Sequence, residues 1–207
     1  MAELAKARVL AGMGKTQESE SLLKELLLRE PNHPDAHAQL GELLLAGSKT
    51  ARSDHHLARA EELERAEIAD GGNELHHIVD LLLLRSGREE ECLRFARAES
   101  KERRDVATCD RLSQALLKSG RAHEAAAASA DVLRTGYDDP NFWVHAADAR
   151  LAALGNITDT SNATKTAERS AAVELLRRAL DRSAALKPMT ALRARELWQS
   201  IEANERR

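Results

Sequence analysis

Histidine is the residue type in this chain best equipped for chemistry, and eight are present. His55-His56 and His76-His77 form adjacent pairs. Neighbouring residues on a helix point about 100° apart, so an adjacent pair is poorly arranged to chelate one metal. His33 and His37 have the i,i+4 spacing of a helical chelate, but Pro34 places a turn between them. No HExxH motif occurs. Surface and packing roles are therefore expected for the histidines, with no metal site.

Other chemical motifs fail on spacing or context. Gly12-Met13-Gly14-Lys15-Thr16 looks like part of a phosphate loop, but the glycine that the motif needs five residues before Gly14 is Val9, and no strand precedes it. A turn between helices is the better reading. Cys92 and Cys109 lie 17 residues apart without a CxxC motif, which fits reduced structural thiols. Asn156-Ile157-Thr158 and Asn162-Ala163-Thr164 match the glycosylation pattern but carry little weight without a secretion signal. Nothing local marks a strained nucleophile elbow or an activated base. The expectation is a non-enzyme with no cofactor.

The composition indicates what positions these residues. Hydrophobic residues make up 43% of the chain and aromatics only 2%. The apolar content is mainly Ala and Leu, the strongest helix formers, and not the aromatic and β-branched residues that fill strands. A net charge of −3 argues against a binder that relies on counterion release from nucleic acid. The apolar run ending at Leu84 is closed by Arg85, too short for a membrane span. The N-terminus lacks a signal-peptide core, slightly favouring the cytoplasm. It already reads as helical, as would a piece of a longer protein that begins inside a repeat.

Helix breaks recur at Met13-Gly14-Lys15, Ala46-Gly47-Ser48, Ser86-Gly87-Arg88, Ser119-Gly120-Arg121 and Leu154-Gly155-Asn156. Their glycines are 33, 40, 33 and 35 residues apart by subtraction. Glycine suits a helix C-terminus because it takes positive φ without a Cβ penalty. A second apolar-periodic run follows each of the first four breaks, as in Leu22, Leu23, Leu26 and Leu27. Polar turns then close each pair: residues 31–35, 70–73, 99–105 and 135–140. At the last of these, Asp139-Pro140 suggests an N-cap with proline at the first helical position. The pattern predicts helical hairpins. Beyond Gly155 it gives way to an enlarged polar turn at 157–162, one long helix over 163–186 stopped by Lys187-Pro188, and a last helix over 190–204.

The segment Asp35-Ala36-His37-Ala38-Gln39-Leu40-Gly41-Glu42-Leu43-Leu44 resembles the first helix of a tetratricopeptide repeat. Leu40-Gly41 match that pattern, Ala60 fits the small position of the second helix, and Pro31 fits the proline that closes a repeat. His37 and Leu44 stand where Trp and Tyr are usual. Gly41 implies close approach of a neighbouring helix, with Ser113 and Ala147 as equivalents. The resemblance spans residues 1–155. It implies one all-α domain over 1–207: a superhelical stack of four to five antiparallel helix hairpins with an irregular last hairpin and a C-terminal capping helix.

In that family the first helix of each repeat lines a concave groove. The matching positions here are Arg8, Gln39, Glu42, His77, Asp110, Arg111, Gln114 and His145. The carboxylate-clamp subgroup uses Lys and Asn at set groove positions; Leu4, Arg8, Gln39, Glu74 and Ile78 stand there instead, so that clamp is not expected. The implied function is a scaffold or adaptor that binds a peptide or helix of another protein. A regulatory or docking domain cut from a larger enzyme or assembly, and a self-assembling array, are the alternatives; a homo-oligomer is compatible with the last. If the C-terminal part lay in the groove, the chain would inhibit itself.

Overall fold

A computed structural model describes residues 2–72, 74–155 and 162–205. Among these residues the chain is all helical, with no strand. Eight helices form four consecutive pairs: α1 (Ala2–Gly12) and α2 (Thr16–Arg29), α3 (Pro34–Ala46) and α4 (Thr50–Ala69), α5 (Leu75–Leu83) and α6 (Glu89–Glu102), α7 (Val106–Lys118) and α8 (Ala122–Arg134). Then come α9 (Pro140–Gly155), α10 (Asn162–Asp181), a 3-10 turn at Ser183–Ala185, and α11 (Pro188–Glu205). Each helix packs on the next, and α1 with α3, α5 with α7 and α7 with α9 also touch.

The expected breaks separate the paired helices. At the first, Lys15 N–H donates to Leu10 O (2.9 Å) and Gly14 N–H to Ala11 O (3.0 Å), with Gly14 at φ 76°. The same two bonds recur at Arg121–Leu116 (2.9 Å) and Gly120–Leu117 (3.0 Å). This double bond satisfies orphan helix carbonyls and requires a left-handed residue. The second break departs from expectation. Gly47 stays at φ −87°, and the left-handed position is Ser48, at φ 58°. Asp139 behaves as anticipated: its Oδ1 accepts the Asn141 N–H at 2.8 Å where α9 starts at Pro140.

Each pair is joined at one buried crossing of small residues. Ser19 Oγ donates to Ala7 O (2.8 Å), and Ser53 Oγ donates to Gly41 O (2.8 Å). Cys92 Sγ lies 3.9 Å from Val79 O at the third crossing. At the fourth the donor changes sides, with Ser113 Oγ on α7 donating to Ala125 O on α8 (2.9 Å). Positions 7, 41, 79 and 113 are thus equivalent, spaced 34, 38 and 34 by subtraction. The longer middle interval is taken up by α4, which has 20 residues where α2 and α6 have 14 and α8 has 13. Gly41 is required by its crossing: a Cβ there would lie 2.7 Å from Leu57 Cγ and Cδ2.

Charge ties successive pairs together. Glu61, buried on α4, receives Arg65 from its own helix, and Arg85 and Arg88 from the next pair. Burial alone would raise this carboxyl, but the three guanidiniums hold it below its usual range. Glu99 Oε1 on α6 accepts from Thr108 Oγ1 (3.1 Å) and Arg111 Nη1 (3.2 Å) on α7. His37 joins α3 to α4 and to the preceding turn, with Nδ1 2.9 Å from His56 Nδ1 and Nε2 3.0 Å from Pro31 O.

The C-terminal part holds the two expected helices, with shifted bounds. α10 stops at Asp181, and Pro188 starts α11 at its first position in place of only ending what precedes it. The anticipated enlarged turn at 157–162 lies outside the described residues except for its last position. Trp143, Val144, Leu176, Leu186, Leu197 and Ile201 belong to one buried cluster, so α9, α10 and α11 share a core. α11 also reaches back to α3, and the 3-10 turn to α1. The last helix therefore bridges the two ends of the chain and is not confined to covering α10.

Two predictions follow from these contacts. Gly41→Ala should destabilise the fold by about 1–3 kcal/mol through overpacking against Leu57, although Ala favours a helix interior by about 1 kcal/mol. Urea unfolding checks this, and a stabilised variant would show that the crossing relaxes freely. Burial and the neighbouring His37 hold His56 down to about 4, from an ordinary 6.5. The unfolded chain then takes up more protons, so the stabilising contribution is complete above pH 6.5 and is lost as pH falls towards 4. With partial exposure discounted, unfolding at pH 5 should cost about 1 kcal/mol less than at pH 7 from this source, a difference removed by His56→Asn.

Candidate functional site

The odd-numbered helices face a common cavity of about 1100 Å³. All eight residues singled out from the sequence border it: Arg8 on α1, Gln39 and Glu42 on α3, His77 on α5, Asp110, Arg111 and Gln114 on α7, and His145 on α9. Regular helical spacing explains the convergence, because residues three and four apart share a face. The opposite wall belongs to the C-terminal part, which the sequence left open as either a cap or a cover for the groove. It comes from Lys187, Pro188, Met189, Thr190 and Arg193, the start of α11.

Most of the eight side chains already have partners within the chain. Arg111 Nε donates to Asp80 Oδ1 (2.8 Å) while Nη1 reaches Glu99, so it bridges α5, α6 and α7. Asp110 receives His145 Nδ1 (2.9 Å to Oδ2) and Gln114 Nε2 (2.8 Å). His77 Nδ1 lies 2.9 Å from Glu64 Oε2 on α4. With its amide turned to suit its neighbours, Gln39 donates to Leu4 O (3.1 Å) and accepts from Arg8 Nη2 (3.3 Å). Arg111 and Asp110 thus hold the cavity wall in place as well as lining it.

Glu42 does something different. Its Oε1 accepts the backbone N–H of Met189 at 3.1 Å. Met189 is the second residue of α11, whose first-turn N–H groups lack intrahelical acceptors. A carboxylate from α3 therefore caps a helix that begins 146 residues later, and it meets the positive end of that helix's dipole. Burial raises the Glu42 carboxyl above its usual range, against the opposing pull of Lys187 and the Met189 N–H.

Further contacts fasten the same segment. Asn141 Nδ2 donates to Ala185 O (3.2 Å), and its Oδ1 accepts from Lys187 N–H (2.9 Å). Arg193 clasps Asp148 through Nε (2.8 Å) and Nη2 (2.7 Å), a bidentate pair. His145 Nε2 lies 3.4 Å from Thr190 Oγ1. At the other end, a Cβ on Gly12 would stand 2.0 Å from Ala184 O, so only glycine admits the 3-10 turn so close to α1.

Lys118 illustrates a structural role that sequence inspection missed. Its Nζ donates to the carbonyls of Leu82, Leu83 and Arg85, capping the C-terminal end of α5. Burial pulls its ammonium below the usual lysine range. Around the whole cavity, eight carboxylate side chains (Asp35, Glu42, Glu64, Asp80, Asp105, Asp110, Asp139, Asp148) outnumber five cationic ones (Arg8, Arg111, Lys118, Lys187, Arg193). Two of those five arrive with the C-terminal segment itself.

No protein-family model matches this chain, and no curated protein sequence matches it.

The contact at Gly12 yields a prediction. Gly12→Ala should displace the 3-10 turn from α1 and lower stability by about 1–3 kcal/mol, against the helix-propensity gain. Thermal unfolding reads the net sign, and an increase in melting temperature would mean that the turn is not seated on α1.

Proposed function

We propose that this chain is a tetratricopeptide-like α-solenoid that binds a segment of another protein on its concave face, with its own C-terminal segment occupying that face when no partner is present. The supporting observation is the convergence of α1, α3, α5, α7 and α9 on one cavity into which the first turn of α11 is seated. The repeated hairpin crossings at positions 7, 41, 79 and 113 support the solenoid reading.

The internal occupant suggests the chemistry of an external one. Residues 187–193 present a helix N-terminus to Glu42 and a guanidinium to Asp148. When they leave, the remaining lining holds eight carboxylates and three cationic side chains, Arg8, Arg111 and Lys118. That surface suits an amphipathic helix or peptide with net positive charge, held by a few polar anchors and by the apolar floor of Ala7, Ala11, Leu81 and Leu84. Occupancy by the chain's own segment lowers apparent affinity by the fraction of molecules that are open.

A crosslinking capture from lysate of the source cell tests this, using the full chain, Gly12→Ala to loosen the segment, and Asp35→Lys to reverse one groove carboxylate. One protein should be captured more by Gly12→Ala and less by Asp35→Lys, and a peptide from its basic segment should compete. Capture indifferent to both changes would remove the groove from the binding mechanism.

A further inference from the structure

At the N-terminal edge of α5, three side chains converge in a way that the adjacent-histidine argument did not anticipate. Glu74 precedes the helix, and His76 and His77 occupy its first turn. Glu74 Oε2 lies 3.8 Å from His76 Nε2 and 3.5 Å from His77 Nε2. The donor atoms offered by the three residues all fall within 4.8 Å of one another. Tetrahedral zinc, with ligand bonds of about 2.0–2.2 Å, has ligand–ligand edges of about 3.4 Å, so the two carboxylate edges need a contraction of at most a few tenths of an ångström, and the histidine–histidine edge, which lies within 4.8 Å, closes by rotation of the His76 ring.

The surroundings provide an independent argument. His77 Nδ1 is anchored 2.9 Å from Glu64 Oε2, and Glu64 is buried. This fixes the ring and leaves Nε2 turned towards Glu74. A carboxylate behind a ligating imidazole is the usual way a metal site sets ring orientation and basicity. The start of a helix repels cations; Glu64, Asp35 and Glu74 place negative charge around His77, while Arg111 places positive charge near His76.

We propose that Glu74, His76 and His77 form a binding site for a zinc-class divalent cation, with Glu64 positioning His77 from behind. Two imidazoles and one carboxylate favour zinc, or a neighbouring first-row ion, over calcium or magnesium. Three protein ligands leave a fourth position for water or for an acidic group of a bound molecule. His77 and Glu64 also line the central cavity, so the cation would sit at its rim. Neither thiol is placed to compete: Cys92 is buried, with its thiol raised to about 11, and Cys109 is half-buried and also raised.

The test is calorimetric titration of tag-free, chelator-stripped, reduced full-length chain with zinc chloride, alongside thermal unfolding with and without the metal. One zinc per chain should bind saturably and raise the melting temperature. His76→Asn and Glu74→Gln should each weaken binding at least tenfold while circular dichroism remains unchanged. Glu64→Gln should weaken it about 10–100-fold without removing a ligand. His55→Asn, in the other adjacent pair, should bind as the native chain does. Absence of saturable binding at millimolar zinc overturns the proposal, as does equal binding by native chain and His76→Asn.

Discussion

The structure rests on how closely two helices joined by a short turn can approach. At each paired crossing the contact residues are small or give up their hydrogen-bonding group to the facing backbone: Ser19 on Ala7, Ser53 on Gly41, Cys92 on Val79, and Ser113 on Ala125. A buried hydroxyl must be paired or its desolvation costs free energy, and the opposing helix carbonyl provides the acceptor. Close approach then lets Leu23, Leu40, Leu57 and Ile78 bury fully despite the scarcity of aromatic residues. The same crossing fixes which face of each first helix turns inward.

A second layer of order comes from buried carboxylates shared between successive helices. Glu61, Glu99 and Asp110 are nearly solvent-free, and each meets cationic or polar side chains from outside its own helix. Such groups add little net stability over apolar packing, yet removing one partner is costly because it leaves an uncompensated buried charge. Arg111 is the clearest case, reaching Asp80 and Glu99 at once. Its position on the cavity wall and its role in joining three helices have one origin. A groove built this way is lined by residues that also hold it together.

The hairpins were legible from the spacing of Gly14, Gly87 and Gly120, because the turn chemistry that uses positive φ is local. Gly47 was misleading, since the left-handed residue is its neighbour Ser48. The inward residues were named from the tetratricopeptide resemblance, which assigns the groove to the first helix of each pair, and Gly41 from its cost within a helix. The two C-terminal helices were legible too, but their exact bounds and their packing against α1 and α3 were not. Pro188 carries equal weight as the end of one helix or the start of another, and only tertiary contact decides between them. The pairing of Glu42 with the Met189 N–H spans 147 residues and involves a backbone group, so no side-chain pattern marks it. The convergence of Glu74 with two adjacent histidines was hidden for a related reason: the helix ideal of 100° per residue does not describe a carboxylate placed just before the first turn.

Closure of the chain on itself is the claim on which the functional account depends, and the Met189 amide reports on it directly. A first-turn amide of a helix has no intrahelical acceptor and ordinarily exchanges quickly with solvent. Native-state hydrogen exchange, resolved to single residues, therefore isolates the Glu42 cap. The account predicts that the Met189 amide is strongly protected in the native chain and that Glu42→Ala removes this protection while the amides inside α3 stay slow. Rapid exchange at Met189 in the native chain would contradict it, and would mean that α11 stands away from the groove.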